Sequence, residues 1–177
     1  QHTFLRKRFD RNTKGQRIHF ASALSMLGYI DGTDHSDAAS YLELAEFLIQ
    51  KGARVNEDLE ELWKRIVFYI CVSNTDDHLR NHGFILTDDG WILSPAFDIN
   101  PNETGAGLSL NISMDDNSLE LELAFNIAGY FRLSNERAKA IIHQIKHSVQ
   151  HWRAVSKGYS ISKEEQDLMS RAFSKAY

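Results

Sequence analysis

This chain lacks the sequence features that accompany secretion or membrane insertion. It has a single cysteine among 177 residues, so an internal disulfide is excluded. No apolar run approaches the roughly 18 residues that cross a bilayer, and the first residues lack the apolar core of a signal peptide. These absences favour a cytoplasmic protein without membrane contact. The one cysteine, Cys71, lies in an apolar run and is expected to be a buried side chain rather than a nucleophile.

The net charge of the chain does not favour the binding of polyanions. The formal net charge is -4 at pH 7, which favours neither nucleic acid nor anionic lipid as a general partner. A basic stretch near the start is the exception, and we interpret it as a solvated face. It contains Arg6, Lys7, Arg8, Arg11, Lys14 and Arg17. The length and a hydrophobic content of 42% fit one compact domain with a sizeable core.

Periodicity and capping residues predict a mostly helical chain with one hairpin. The strongest helix signal runs from about residue 56 to residue 72, with Asn56 as its cap and apolar residues at helical spacing. Asp-Gly between two β-rich runs predicts a hairpin of residues 83–86 and 91–93. The other predicted elements are a strand at 2–9, helices at 18–27, 36–51 and 120–131, a possible strand at 108–112, and two C-terminal helices capped by Ser134 and by Ser162 with Glu165.

A cluster of polar residues after the central helix is the main candidate for chemistry. Residues 74–81 read Asn-Thr-Asp-Asp-His-Leu-Arg-Asn, which places Asp76 five positions before Asn81. Asp98 follows the predicted hairpin, which would fold it back toward the other two. Phosphoryl transfer uses such a set: one carboxylate accepts the proton of the attacking hydroxyl, while an amide and a second carboxylate hold metal at the nucleotide phosphates. The pattern predicts the catalytic half of a kinase.

Two other interpretations of the same residues stay open. Asp and Asn are common in turns, so the segment could be an ordinary connection. His78 and His82 are four positions apart and, with Asp77 nearby, could belong to a metal-dependent phosphohydrolase. Against this, neither His adjoins a Glu in the metalloprotease pattern. The abundance of oxygen ligands also suits Mg²⁺ better than Zn²⁺.

Three segments together resemble the C-terminal lobe of HipA-type serine/threonine kinases, the toxins of bacterial toxin–antitoxin modules. Residues 8–11, Arg-Phe-Asp-Arg, resemble the family's segment at the hinge between lobes. Residues 74–81 are similar to its catalytic loop, Thr-Asp-Gly-His-x-x-Asn. Residues 93–99, Leu-Ser-Pro-Ala-Phe-Asp-Ile, resemble its metal site, Leu-x-Pro-x-Tyr-Asp-Ile. The chain departs from these patterns with Asp77 in place of Gly and Phe97 in place of Tyr.

The resemblance implies a role for each candidate residue. Asp76 would be the catalytic base that takes the proton of the acceptor hydroxyl. Asn81 and Asp98 would be ligands of Mg²⁺, and His78 would lie beside the nucleotide phosphates. The adenine would meet the backbone of Lys7, Arg8 and Phe9.

The resemblance also implies the fold, the activity and the partners. The fold would be mainly α with a small β-hairpin, as in the C-terminal (large) lobe of a protein-kinase-like fold, and would take up residues 1–177. The N-terminal lobe would be absent, which agrees with the lack of Gly-x-Gly-x-x-Gly, Walker A and Val-Ala-x-Lys sequences. The activity would be ATP-dependent phosphorylation of a protein hydroxyl, with a DNA-binding antitoxin as partner. The alternative is a pseudokinase-like module that binds the antitoxin without catalysis.

Overall fold

The computed structural model describes residues 5–177, and helices make up most of its regular structure, as predicted. The α-helices are α1 (Ala23–Leu27), α2 (Tyr41–Lys51), α3 (Val55–Val72), α4 (Leu121–Asn126), α5 (Asn135–Gln150), α6 (Trp152–Gly158) and α7 (Lys163–Leu168). The strands are β1 (Phe20–Ser22), β2 (Gly83–Thr87) and β3 (Gly90–Leu93). Short 3₁₀ helices lie at His35–Asp37, Leu79–Asn81, Ala128–Phe131 and Met169–Ala176.

Helix α3 forms the centre of the core. Its apolar side chains are almost all fully buried, and it packs against α2, α4, α5 and the C-terminal 3₁₀ helix. The indole Nε1 of Trp63 donates to the carbonyl oxygen of Ala124 at 3.0 Å. Cys71 is buried as predicted, and burial raises the pKa of its thiol to about 11. Burying one large apolar side chain stabilises a fold by about 1.5–3 kcal/mol, so this packing fixes the C-terminal end of α3.

The start of α3 differs from the prediction. The helix begins at Val55, so Asn56 lies in the first turn and is not the cap. The side-chain oxygen of Asn56 instead accepts a hydrogen bond from Arg132 at 3.0 Å. The buried carboxylate of Asp58 accepts from the backbone N–H of Leu93 at 2.9 Å. A negative charge in the first turn is favourable for a helix, and this bond also attaches β3 to α3.

The predicted helix at 18–27 is wrong over its first half. Residues Phe20–Ser22 form β1, which pairs antiparallel with β2. Ser22 then caps α1, because its hydroxyl oxygen accepts from the N–H of Ser25 at 3.3 Å. Gly28 ends α1 with a φ of 77°, which glycine adopts without strain. The apolar spacing fits a strand leading into a short helix as well as one longer helix, and the pairing with β2 decides between them.

The predicted hairpin is confirmed as β2 and β3, but it belongs to a three-stranded sheet in the order β1-β2-β3. The predicted strand at 2–9 is wrong for residues 5–9, which form no strand. Residues 2–4 of that predicted strand lie outside the described residues. The strand that joins the β2–β3 hairpin in the sheet is β1, which pairs with β2.

Helix α2 begins later than predicted. It starts at Tyr41, because Ser40 caps it in a reciprocal pair with Glu43 and the preceding residues form a 3₁₀ helix. It ends where predicted, immediately before Gly52. The N–H of Gly52 still bonds to the carbonyl oxygen of Leu48 at 2.9 Å, which closes the last turn.

The C-terminal half contains the predicted helices with altered bounds. The predicted helix at 120–131 is α4 followed by a 3₁₀ helix. The 108–112 segment takes part in an isolated bridge and is not a strand. The predicted caps at Ser134 and Ser162 are confirmed, since both hydroxyls accept from the backbone N–H three residues later. In the described residues, no helix is both long and apolar enough to cross a bilayer.

Candidate functional site

The first candidate residues lie on the connection between α3 and β2, named here the 73–82 loop. It starts at Ser73, whose φ of 51° turns the chain out of α3. The N–H of Asn74, a fully buried residue, donates to the carbonyl oxygen of Tyr69 at 2.9 Å. Asp76 lies on an exposed turn two residues further on, so a ligand can reach its carboxylate. The buried helix α3 thus leads directly into an exposed acid.

The 73–82 loop brings Asp76 and Asn81 together. The side-chain Nδ2 of Asn81 donates to the backbone carbonyl oxygen of Asp76 at 2.9 Å. The backbone N–H of Asn81 donates to the carbonyl oxygen of His78 at 2.8 Å. Because Nδ2 is occupied, Oδ1 is the side-chain atom of Asn81 that is suited to bind a metal ion.

Asp98 belongs to a second loop that is bonded to the first. The backbone N–H of Asn100 donates to the side-chain Oδ1 of the buried Asn74 at 2.9 Å. The Nδ2 of Asn100 donates to the carboxylate of Asp98, also at 2.9 Å. Asn102 continues this attachment, since its N–H bonds to the carbonyl oxygen of Ser73 at 3.0 Å. One hydrogen-bonded network therefore connects the loop of Asp98 with the loop of Asp76 and Asn81.

The described residues of the N-terminal segment lie against the residues just before Asp98. The guanidinium of Arg6 donates to the carbonyl oxygen of Ala96 at 2.7 Å. The ring of Phe9 packs on Phe97 and on Phe20, with centroid distances of 5.7 and 5.5 Å. The backbone predicted to meet adenine is thus next to the predicted metal site.

The side chains of the two other residues predicted to meet adenine point away from this packing or pair locally. Lys7 is exposed. Arg8 binds the carboxylate of Asp10 through two bonds, of which the Nε–Oδ1 bond measures 2.7 Å. This pairing lowers the pKa of the Asp10 carboxyl. Only the backbone of residues 7 and 8 is therefore a candidate for nucleotide contact.

His78 lines a cleft of about 190 Å³ between the 73–82 loop and the segment 31–34. Its Nε2 lies 3.3 Å from a guanidinium nitrogen of Arg80. Arg80 in turn forms an ion pair with Asp31 across the cleft. The cleft therefore presents a half-buried imidazole and a cation, and the exposed Asp76 lies two residues before His78 in the chain.

The structure gives no support to a metal held by His78 and His82. His82 is fully buried, and its Nε2 is bonded to the carboxylate of Asp77 at 2.7 Å. Across residues 5–177, no group of three or more His, Cys, Asp or Glu side chains is arranged to hold a metal ion. The hydrolase interpretation therefore has no ligand set of that kind in the described part of the chain.

Asn81 and Asp98 are a donor set that fits Mg²⁺ bound together with nucleotide phosphates. Mg²⁺ prefers oxygen ligands and usually takes one or two carboxylates plus phosphates rather than an all-protein cage. Asn81 offers an amide oxygen, and Asp98 offers an exposed carboxylate on the adjoining loop. Such a site needs fewer than three charged or nitrogen ligands from the protein.

The residues that hold the two loops together could not be found by sequence reasoning. Asn100 is 26 residues from Asn74, and Tyr41, which donates to Asp77, is 36 residues before it. Neither spacing corresponds to a local period. The one available signal was the unusual acid at position 77, which the structure places in a buried polar cluster.

Comparison with known proteins finds a matching family, a similar protein sequence and similar solved structures. The HipA-like C-terminal domain family matches residues 1–152. A protein of Haemophilus influenzae, named as an inferred kinase, is 28% identical over 101 residues, which are 54% of this chain and 29% of that protein. The chain thus spans less than a third of this relative's length.

The fold also matches a chain in the solved complex of the Shewanella oneidensis MR-1 toxin–antitoxin system HipA, HipB and its operator DNA. The TM-score is 0.74 with 14% identity, and the match covers 96% of this chain and 46% of that chain. At this identity the likeness shows a shared fold. It extends over nearly all of this chain but less than half of the other.

Proposed function

Because this chain belongs to the HipA-like C-terminal domain family, we propose that it is the catalytic part of a protein kinase that phosphorylates serine or threonine hydroxyls with ATP. The kinase name of the Haemophilus relative supports this reaction type. The observation that carries the proposal is the bonding of two loops, one with Asp76 and Asn81 and one with Asp98, into a single network. Phosphoryl transfer requires a base and oxygen ligands brought together in this way.

Asp76 is proposed as the base. Its carboxylate is exposed, and its carbonyl oxygen is bonded to Asn81, so the backbone is held while the side chain is accessible. A base that takes the proton of an acceptor hydroxyl must be reachable by another protein. The exposed position of Asp76, two residues before His78 at the cleft, satisfies this need.

Asn81 and Asp98 are proposed to hold Mg²⁺ through Oδ1 and a carboxylate oxygen. When bound, Mg²⁺ would neutralise charge on the nucleotide phosphates. The imidazole of His78 is proposed to lie beside those phosphates, and the backbone of residues 7–9 to meet the adenine. Phe9 supports the last assignment, because its contact with Phe97 brings the segment close to Asp98.

The central test is the substitution Asp76→Asn in the complete protein that contains this chain. It keeps the size of the side chain but removes the proton acceptor, so transfer of ³²P from ATP to protein should fall by about 100-fold or more. Asp89→Asn, in the exposed turn of the β2–β3 hairpin, is the matched control and should keep wild-type transfer. Circular dichroism should give the same helix content for both variants. Undiminished transfer by Asp76→Asn would refute the assignment.

We also propose a DNA-binding antitoxin as the partner of the complete protein. The solved complex with the similar fold contains HipA, HipB and operator DNA, which supports this kind of partner. A protein that binds its antitoxin but transfers no phosphoryl group in the presence of Mg²⁺ would be a pseudokinase-like module instead. Copurification with the antitoxin, followed by the ³²P assay, separates these two functions.

A further inference from the structure

A buried polar cluster lies directly beneath the 73–82 loop. The carboxylate oxygen Oδ2 of Asp77 accepts from the hydroxyl of Tyr41 at 2.6 Å and lies 2.7 Å from Nε2 of His82. The side chains of Asp77 and His82 are 1% and 0% exposed. Burial, reinforced by the charge of Asp77, raises the pKa of Tyr41 well above its ordinary value, so the phenol stays protonated and donates.

The positions of these residues along the chain link the cluster to the proposed chemistry. Asp77 directly follows the proposed base, Asp76, and His82 directly follows the proposed metal ligand, Asn81. Asp76 is exposed while Asp77 is buried, so fixing the second side chain inside directs the first one outward. The bond between Asp77 and His82 therefore links the two positions of the loop that directly follow Asp76 and Asn81.

Stability alone does not account for this cluster. Oδ1 of Asp77, Nδ1 of His82 and the hydroxyl of Tyr69 are buried atoms that have no hydrogen-bond partner within the described residues. Such groups cost free energy when they are taken out of water. Replacing both partners of a buried hydrogen bond by apolar groups of the same shape can be nearly neutral or stabilising. If these residues served only the stability of the fold, apolar side chains in contact with one another would serve as well.

We propose that Asp77, His82 and Tyr41 are positioning residues that set the separation of Asp76 and Asn81. This inference rests on the proposed kinase function. The carboxylate joins three parts of the fold, because Tyr41 begins α2 and His82 immediately precedes β2. The Asp77 carboxylate therefore holds the 73–82 loop against α2 and against the start of β2, and its two bonds lie next to Asp76 and Asn81 in the chain.

The kinetic test uses the complete protein with the substitution Asp77→Asn. The amide keeps the volume and can keep an oxygen at the Oδ2 position, but it replaces the carboxylate by a neutral group, which weakens the bonds to both partners. Misplacing reacting groups by about 1 Å can cost about 100-fold in rate, so kcat should fall by about 10- to 100-fold. KM for ATP should rise by a smaller factor than kcat falls, because Asp98 and the backbone of residues 7–9, to which Asp77 is not bonded, are also proposed to hold the nucleotide.

Two tyrosine substitutions provide a matched pair. Tyr41→Phe removes one of the two bonds to Asp77 and should lower kcat less than Asp77→Asn does. Tyr29→Phe also removes a tyrosine–carboxylate bond to α2, the 2.9 Å bond to Glu43, but that bond lies outside the cluster. It should leave kcat unchanged. Equal effects of the two tyrosine substitutions, or a kcat within twofold of wild type for Asp77→Asn, would overturn the proposal.

Amide hydrogen exchange gives a readout that does not depend on activity. The N–H groups of His78 and Asn81 are bonded within the 73–82 loop, at 3.1 and 2.8 Å. In Asp77→Asn they should exchange faster, while amides in the middle of α5 keep their wild-type rates. If the wild-type protein transfers no phosphoryl group, the proposed function fails, and this measurement alone decides the inference. Unchanged exchange in the loop, or faster exchange throughout the protein, would overturn it.

Discussion

Two residues with left-handed backbone conformations flank the candidate site. Ser73 has a φ of 51° at the end of α3, and Asp98 has a φ of 55° in the second loop. Residues other than glycine rarely adopt such values, and the cost is about 1–3 kcal/mol unless the surroundings enforce them. Both residues take part in hydrogen bonds of the site: the carbonyl oxygen of Ser73 accepts from the N–H of Asn102, and the carboxylate of Asp98 accepts from the side chain of Asn100. Strain of this kind gathers at functional sites, which agrees with the proposed role of Asp98.

Gly83, the first residue of β2, allows a close contact that supports the same site. A Cβ atom placed on it would clash with the ring of Phe20 and lie 2.9 Å from the carbonyl oxygen of Ala21. Gly83→Ala should therefore lower the free energy of unfolding by about 1–3 kcal/mol, measured by urea denaturation. Gly158→Ala is the matched control. Its Cβ would meet no atom within 4 Å, and alanine in a helix should be neutral or slightly stabilising.

A loss of stability in Gly83→Ala no larger than that of the control would show that Phe20 can move aside. Phe20 also contacts Phe9 and Phe97, so such movement would change the packing next to Asp98. The free energy of unfolding and the ring contacts of Phe20 therefore both distinguish a Phe20 side chain that moves aside from one that stays in place.

At the scale of elements, local patterns predicted the helices and the hairpin, and non-local contacts decided the rest. Helix α3 and strands β2 and β3 have strong periods and a clear turn, so they appear where expected. Strand β1 was missed because three residues carry too little pattern, and its hydrogen bonds come from residues more than 60 positions away. The Asn56 cap was wrong because a contact with Arg132 takes the side chain elsewhere.

An ion pair between α3 and α5 should make their packing dependent on pH. The two hydrogen bonds from Arg137 and Lys64 lower the pKa of Glu60 to about 2. A depressed carboxyl pKa stabilises the folded state above the ordinary pKa of 4.5 and stops doing so as pH falls toward 2. Glu60→Gln should therefore lower the free energy of unfolding by about 0.3–1 kcal/mol at pH 7, since Arg137 is half exposed.

The difference between wild type and Glu60→Gln should shrink as pH falls from about 4.5 to about 2, measured by urea denaturation at each pH. Glu46→Gln, an exposed residue of α2 that accepts from Gln50, is the control. Its effect should be smaller, because glutamine can still accept that bond. A Glu60→Gln effect that stays constant down to pH 2 would mean that the ion pair does not act through the carboxylate charge.

At the scale of the whole molecule, the order of the motifs along the chain carried the site prediction. Asp76, Asn81 and Asp98 follow one another around a hairpin that local rules identify, so their proximity could be inferred. The supports of the site could not, because Tyr41, Asn100 and Phe20 contact it only after the complete chain has folded. The candidate residues were thus recognisable from local sequence patterns, whereas the contacts that hold them in position are non-local.

We expect these 177 residues to contain only part of the proposed nucleotide site. They span 46% of the similar chain of the Shewanella complex, and the sequence has no Gly-rich phosphate loop. The groups proposed here to meet ATP, His78, Asn81, Asp98 and the backbone of residues 7–9, would enclose only part of it. The dissociation constant of Mg²⁺–ATP, measured by calorimetry, should therefore be at least about tenfold higher for this chain than for the complete protein, a difference of about 1.4 kcal/mol or more.

The control for this comparison is Asp98→Asn in the complete protein, which should weaken the binding of Mg²⁺–ATP more than that of ATP with EDTA. That pattern would locate the metal contribution to nucleotide binding within these residues. Equal affinity of the chain and the complete protein would contradict the prediction, because the nucleotide would then need nothing beyond the loops of Asp76 and Asp98. Weak binding by a chain that has lost its helical circular dichroism would reflect unfolding, so the spectrum is recorded on the same sample.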